Sequence, residues 1–274
     1  MAAFMQAPRQ GVPQSKEELK KLMGRGRMYD FLTPQLRPDY QVFFDDFNGD
    51  TINLDNWALA NSGGTGAVNF AKQVGRGGWV RGESGTTDDG SISMIGPLEW
   101  YGDANVYAEC RVKIDAITGL DFEFGLIDAV PSSNGAGVTD EDTPTAAFAD
   151  GAVISIDTDE TYQKLGYYTK GSTANQGIKR TSASGSYAHP LNGASVTSGV
   201  PDAAEWVTYG IALRGDYSYT FWINGNAIAH AAPASAGHIE GGIALALWFY
   251  CRTRNTTTKT PDIDYAYAIQ ERGA

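Results

Sequence analysis

The chain has 274 residues with 32 acidic against 21 basic side chains, a net charge of −11, and it carries two cysteines, 33 glycines and 14 tyrosines. At about 150 residues per domain this allows one large all-β unit or two smaller ones, long enough to bury a sizeable core. The cysteine count excludes a disulfide-stapled miniprotein, and no run of ~18 apolar residues offers a helical membrane span. The acidic balance opposes non-specific binding to nucleic acid.

Residues 1–40 stand apart. They hold seven Lys/Arg and four Asp/Glu, a balance of +3, against −14 for the remainder. Ser15-Lys-Glu-Glu18 is a capping box that predicts a short helix to about Met23, closed by Gly24 and Gly26. Pro8, Pro13, Pro34 and Pro38 favour extended backbone around it. Two readings stand: a disordered leader, or an arm that orders on a partner surface. The arm reading places Phe4, Arg9, Leu19, Leu22, Arg25, Arg27, Tyr29 and Phe31 against that partner. The first residues have neither the basic nor the apolar region of a secretory signal, so synthesis in a cytoplasm is expected. Cys110 and Cys251 fall inside strand-like runs and read as two buried reduced thiols rather than a bridge.

From residue 41 to 274 short apolar or alternating runs recur between Gly, Asn, Asp, Ser and Pro clusters. Fourteen strands are predicted, with no convincing helix between them and no internal repeat. Phe122, Phe124 and Leu126 alternate with Asp121, Glu123 and Gly125, the period of a half-buried strand. Arg214-Gly-Asp-Tyr217 and Ile223-Asn-Gly-Asn226 read as hairpin turns. The expectation is an all-β, two-sheet antiparallel sandwich with an N-terminal arm, and with long loops at Val130–Asp150 and Ser182–Ala204.

Several segments carry a resemblance. Phe43-Phe-Asp-Asp-Phe47 with Leu54-Asp-Asn-Trp57 is similar to an opening strand, and Tyr107–Ile114 with Phe122–Leu126 to a pair of central strands. Trp206–Leu213 with Tyr219–Asn226 resembles a characteristic hairpin, and Asp262–Ala268 a closing strand. Together they resemble the concanavalin A-like lectin/glucanase superfamily, which includes laminin-G-like modules and family 16-type glucanases, over about residues 41–270. The resemblance implies a jelly roll and leaves the activity open, because this architecture hosts lectins, hydrolases, lyases and inert scaffolds.

Glucanases of this superfamily carry Glu-x-Asp-x-Glu on one strand, with all three acids on one face. The strand expected to hold them is Gly151–Asp157, where Val153, Ser155 and Asp157 stand at that spacing, so the nucleophile and its helper are missing. Asp157-Thr-Asp-Glu160 places more acids just beyond, in a turn-like run with no fixed common face, while Asp121 and Glu123 share a face of their own strand and offer a displaced pair. His189, His230 and His238 show no metal-ligand spacing. No cofactor is expected, except that some superfamily members bind Ca2+ through an Asp of the closing strand, which makes Asp264 the candidate metal ligand. Asp46, Asn48 and Asp50 lack the Gly and distal Glu of a complete calcium loop.

Aromatic residues supply the remaining clue. Trp57, Trp206 and Trp222 are expected in the core. Trp248 and Tyr250 share one face with Arg252, and with Asp157 they form the candidate glycan-binding residues. The leading expectation is a non-enzymatic virion structural protein, a bacteriophage capsid decoration or cement protein, anchored to the major capsid or another virion protein by residues 1–40. An arm of that length spans up to roughly 130 Å. The alternatives are a glycan-binding module of a head or tail appendage that recognises host polysaccharide, and a divergent glucanase or polysaccharide lyase. Neither nucleic acid nor membrane is expected as a partner.

Overall fold

The computed structural model describes residues 40–48, 50–73, 78–129, 135–138, 147–158, 166–171, 174–178, 186–188, 195–197, 204–231, 239 and 241–272. The predicted helix at Ser15–Met23 and the eight arm contacts lie outside them. No helix occurs among the described residues; the elements are strands. In chain order the first nine are β1 (Tyr40–Asp45), β2 (Ala58–Asn61), β3 (Ala67–Lys72), β4 (Val80–Ser84), β5 (Ser91–Ile95), β6 (Trp100–Tyr101), β7 (Tyr107–Ile114), β8 (Leu120–Ile127) and β9 (Gly151–Asp157). The rest are β10 (Gly166–Gly171), β11 (Ala174–Ile178), β12 (Ser186–Ala188), β13 (Ser195–Thr197), β14 (Trp206–Leu213), β15 (Tyr219–Ile223), β16 (Asn226–Ala231), β17 (Ala244–Thr253) and β18 (Pro261–Glu271).

Two antiparallel sheets form the sandwich. Sheet I runs β16-β15-β14-β7-β18-β4-β3, with β1 also paired to β18. Sheet II runs β11-β10-β9-β8-β17-β5-β2, with β6 also paired to β17. Strands remote in sequence lie side by side, so the sandwich is closed by crossovers between its sheets rather than by consecutive hairpins alone. The two predicted hairpin turns form. Asn224 and Gly225 both take positive φ, 49° and 75°, as a two-residue turn with right-handed twist requires, and the Tyr217 amide donates to the Arg214 carbonyl at 2.8 Å.

Alternation sends one side chain in two between the sheets. Val106, Ala108, Cys110, Val112 and Ile114 of sheet I face Phe122, Phe124 and Leu126 of sheet II in one apolar core. Each large ring withdrawn from water there contributes about 1.5–3 kcal/mol. Cys110 and Cys251 are both buried and unbridged, as expected.

Three expectations need correction. β8 is buried along its whole length rather than on one face, because Ala136, Val138 and Phe148 from the long loop pack over its other side. Of the three tryptophans expected in the core, only Trp57 is there. Trp206 and Trp222 have the opposite parity to Val207, Tyr209 and Phe221 and sit on the outer face of sheet I. Trp206 lies under the side chains of Arg111 and Lys113, 5.0 and 4.9 Å from its ring centre. Finally, β2, β6, β12 and β13 were not expected; they are two to four residues long and carry no alternating apolar run.

Candidate functional site

The outer face of sheet II is built in cross-strand rows. Register places Val153, Gly125, Trp248 and Ile95 side by side in one row, and Ser155, Glu123, Tyr250 and Ser93 in the next. The third row is Asp157, Asp121, Arg252 and Ser91. Across four strands the face therefore grades from apolar, through polar, to charged.

The apolar row and most of the polar row lie under the loop between β8 and β9. Trp248 and Tyr250 stack at 5.8 Å with their planes 10° apart and are fully buried, enclosed with Ala136, Val138 and Phe148. Glu123 fixes that cover. Its carboxylate accepts the Gly137 amide at 2.8 Å, the Val138 amide at 2.8 Å and the Trp248 indole N–H at 2.7 Å. Burial pushes this carboxyl above the usual range, while the Val138 amide, the Trp248 indole, the Gly137 amide and Arg252 pull the other way. A side chain at 137 would place its Cβ 2.7 Å from the Glu123 Oε2, so the close approach of loop to carboxylate needs glycine there.

The charged row is the open end. Arg252 donates to Asp121 Oδ2 through Nε at 3.0 Å and approaches it through a terminal nitrogen at 2.6 Å. Asp157 lies 3.4 Å from Arg254 Nε and 4.0 Å from Arg252. Asp89, on the turn before β5, stands 3.5 and 3.6 Å from the two guanidinium groups. The two interior carboxylates are sealed from solvent, whereas the side chains of Arg252, Arg254 and Asp89 are 15%, 23% and 65% exposed. Charge alternates across this rim, which suits hydrogen-bonding to a polar ligand from its edge.

No protein-family model matches the chain, and no curated protein does. Solved structures do. The endo-β-1,3-glucanase of Pyrococcus furiosus superposes with a TM-score of 0.56 at 13% identity, over 86% of this chain and 96% of its own. The carbohydrate recognition domain of Emp47p gives 0.55 at 9%, over 85% and 97%. A protein of unknown function from Shewanella oneidensis MR-1 gives 0.52 at 14%, over 96% of both chains. The fold is the concanavalin A-like jelly roll.

Within that jelly roll the predicted residues fall as follows. Trp248, Tyr250, Arg252 and Asp157 do converge on one face, but Trp248 and Tyr250 form no open stacking platform, because the loop after β8 covers them. Asp121 and Glu123 share a face as expected, yet each is committed, Asp121 to Arg252 and Glu123 to three N–H donors. On β9 Val153 and Ser155 stand at the nucleophile and helper positions, and Asp157 at the second glutamate position. Asp264, the candidate calcium ligand, is paired with Arg111 at 2.9 Å on the outer face of sheet I. Asp46 and Asn48 are engaged in turn hydrogen bonds, the Asn48 amide to Asp46 and the Gly78 amide to Asn48 Oδ1 at 3.1 Å. Among the described residues no cluster of three or more His, Cys, Asp or Glu side chains is arranged to hold a metal ion. Sequence reasoning missed Gly137, Val138 and Asp89. The only signal for Asp89 was its Asp-Asp-Gly turn, and the loop residues offered none.

Proposed function

We propose that this chain is a non-enzymatic virion structural protein, a bacteriophage capsid decoration or cement protein. Residues 1–40 attach it to a coat subunit, and the concanavalin A-like body is displayed on the particle. The observation that carries the non-enzymatic part is the closure of the outer face of sheet II. Retaining glycoside hydrolysis needs two carboxyl groups about 5–5.5 Å apart and open to the sugar ring. Here the interior carboxylates are sealed, ion-paired or capped by backbone amides. The split between a basic leader and an acidic body supports the division into an attaching part and a displayed part.

Capture from a phage lysate by the full chain, read by mass spectrometry, tests the attachment. A coat protein recovered by the full chain and lost from one lacking residues 1–38 is the expected result. Reducing ends released from mixed β-glucans by the wild type, and abolished in Asp121→Asn/Glu123→Gln, would defeat the non-enzymatic reading.

A second reading, a glycan-binding module of a head or tail appendage, is favoured by the partly exposed Arg252, Arg254 and Asp89 rim. It predicts a glycan-array signal that Arg254→Ala removes. Silence from both proteins leaves the scaffold reading alone.

A further inference from the structure

Arg81, Arg111, Arg252 and Arg254 are each answered by an aspartate. Arg81 grips Asp262 through Nε at 2.6 Å and Nη2 at 2.9 Å. Arg252 holds Asp121 through the same two nitrogens, at 3.0 and 2.6 Å. Arg111 pairs with Asp264 and Arg254 with Asp157. Arg214 is different. It follows β14 with the parity of Gly210 and Ala212, which sets its side chain on the outer face of sheet I. Its Nη1 donates to Thr220 Oγ1 at 2.8 Å and to Ser218 Oγ at 3.4 Å. Among the described residues its Nε and Nη2 have no acceptor, and that is the edge with which Arg81 and Arg252 each hold a carboxylate.

The carboxylate on the same hairpin turn does not take that edge. Asp216 is exposed and accepts the Ser218 amide at 3.0 Å and the Ser218 hydroxyl. Burial pulls the Arg214 guanidinium below its usual range, and the attraction of Asp216 offsets this only in part. A cation taken partly out of water is normally paired, because neutral hydroxyls return only part of its lost hydration. His230 completes the arrangement. Thr220 is buried and pairs across the strands with Ala212 and His230. Its Oγ1 accepts from Arg214 and lies 2.9 Å from His230 Nδ1. With the ring neutral, every hydrogen is used when Thr220 donates to Nδ1, which leaves the ring proton on Nε2. His230 is exposed, so it brings a second N–H to the surface beside the guanidinium.

We propose that Arg214 and His230, bridged by Thr220, form a binding site for an oxyanion, either the carboxylate of an acidic sugar or a phosphate. This goes beyond the function proposed above and does not depend on it. What the site turns outward is donors alone: the Nε and Nη2 hydrogens of Arg214 and the Nε2 hydrogen of His230. A set of donors selects a ligand that only accepts, and the planar fork matches two oxygens on one centre. Thr220 holds Nη1 in place, so the fork is oriented before the ligand arrives and less side-chain entropy is lost on binding. The acidic body opposes an incoming anion, but at physiological salt charges beyond ~8 Å are largely screened. The local donors therefore decide, and the carboxylate beside them is already engaged by Ser218.

Titration of the full, isotope-labelled chain with inorganic phosphate and, separately, with glucuronate tests the site, with chloride keeping the ionic strength constant. The readout is the Arg214 Nε–H resonance, identified by its loss in Arg214→Lys. Saturable movement of that resonance is the expected result. Saturation by phosphate alone assigns a phosphoryl ligand, and saturation by glucuronate assigns a carboxylate one. His230→Ala alters an exposed position outside the core and is expected to weaken binding about ten-fold, as the loss of one hydrogen bond to a charged ligand does. Movement that never saturates with either anion would overturn the proposal by showing screening rather than binding. An unmoved resonance would do the same, as would an affinity unchanged in His230→Ala.

Discussion

Arg252 and Glu123 show how single side chains hold the outer face of sheet II. Arg252 spans from Asp121, at 2.6 and 3.0 Å, to Asp89 at 3.5 Å, so one guanidinium links an interior carboxylate to an exposed one. Removing one member of a buried pair leaves the other as an uncompensated charge, which costs more than the pair itself contributes. Arg252→Ala is accordingly expected to lose about 3–5 kcal/mol in urea unfolding. Arg252→Ala/Asp121→Asn should lose clearly less than the two single changes added together, since both act on one interaction. A strictly additive double mutant would show that the pair is energetically silent. Arg252→Lys is a poor rescue, because an ammonium cannot reproduce the planar fork.

At the scale of strands and loops, the sequence was readable wherever one residue type has one physical use. Phe122, Phe124 and Leu126 were legible as an inward face because period-2 alternation has few other causes. Asn224–Gly225 was legible because two consecutive positive-φ residues suit few other pairs. What failed was everything that depends on what lies above a face. Trp206 and Trp222 were read as core because they are large and apolar, although their parity sets them on the outside of sheet I. Trp248 and Tyr250 read as candidate glycan-binding residues because nothing in the Gly-, Ser- and Thr-rich loop announces that Gly137 and Val138 present their amides to Glu123. Two glycine substitutions separate these cases. In Gly225→Ala the new methyl meets nothing within 4 Å, so only the positive φ of 75° is penalised, by about 1–2 kcal/mol. In Gly137→Ala the methyl lands 2.7 Å from a carboxylate already held by three donors, so the loop must lift. Hydrogen exchange should show the Val138 amide losing protection in Gly137→Ala and keeping it in Gly225→Ala.

Taken as a whole, the molecule is a sandwich in which both outer faces, not only the space between the sheets, bury a glutamate. Glu109 lies under the tyrosines of sheet I and Glu123 under the loop of sheet II. Burial pushes both carboxyls above their ordinary 4.5, and their hydrogen-bond donors only partly offset it. The unfolded chain releases these protons near that ordinary value, whereas the folded chain holds them to higher pH. Between the two values the native state binds more protons, so stability falls as pH rises through the window. This sign is opposite to that of salt-bridged carboxylates, whose contribution is lost towards acid. Asp216, which hydrogen bonds from Ser218 hold below the usual carboxylate range, is exposed and acts with the opposite sign, below this window. Urea midpoints measured from about pH 5 to about pH 8 should therefore decline in the wild type. Glu109→Gln keeps an acceptor for one tyrosine hydroxyl while removing the ionisation, so its profile should be flatter, and Glu109→Gln/Glu123→Gln flatter still. A wild-type midpoint that climbs across the same range would mean that both glutamates are ionised at little cost inside the fold, and that neither outer face is as dry as its packing makes it.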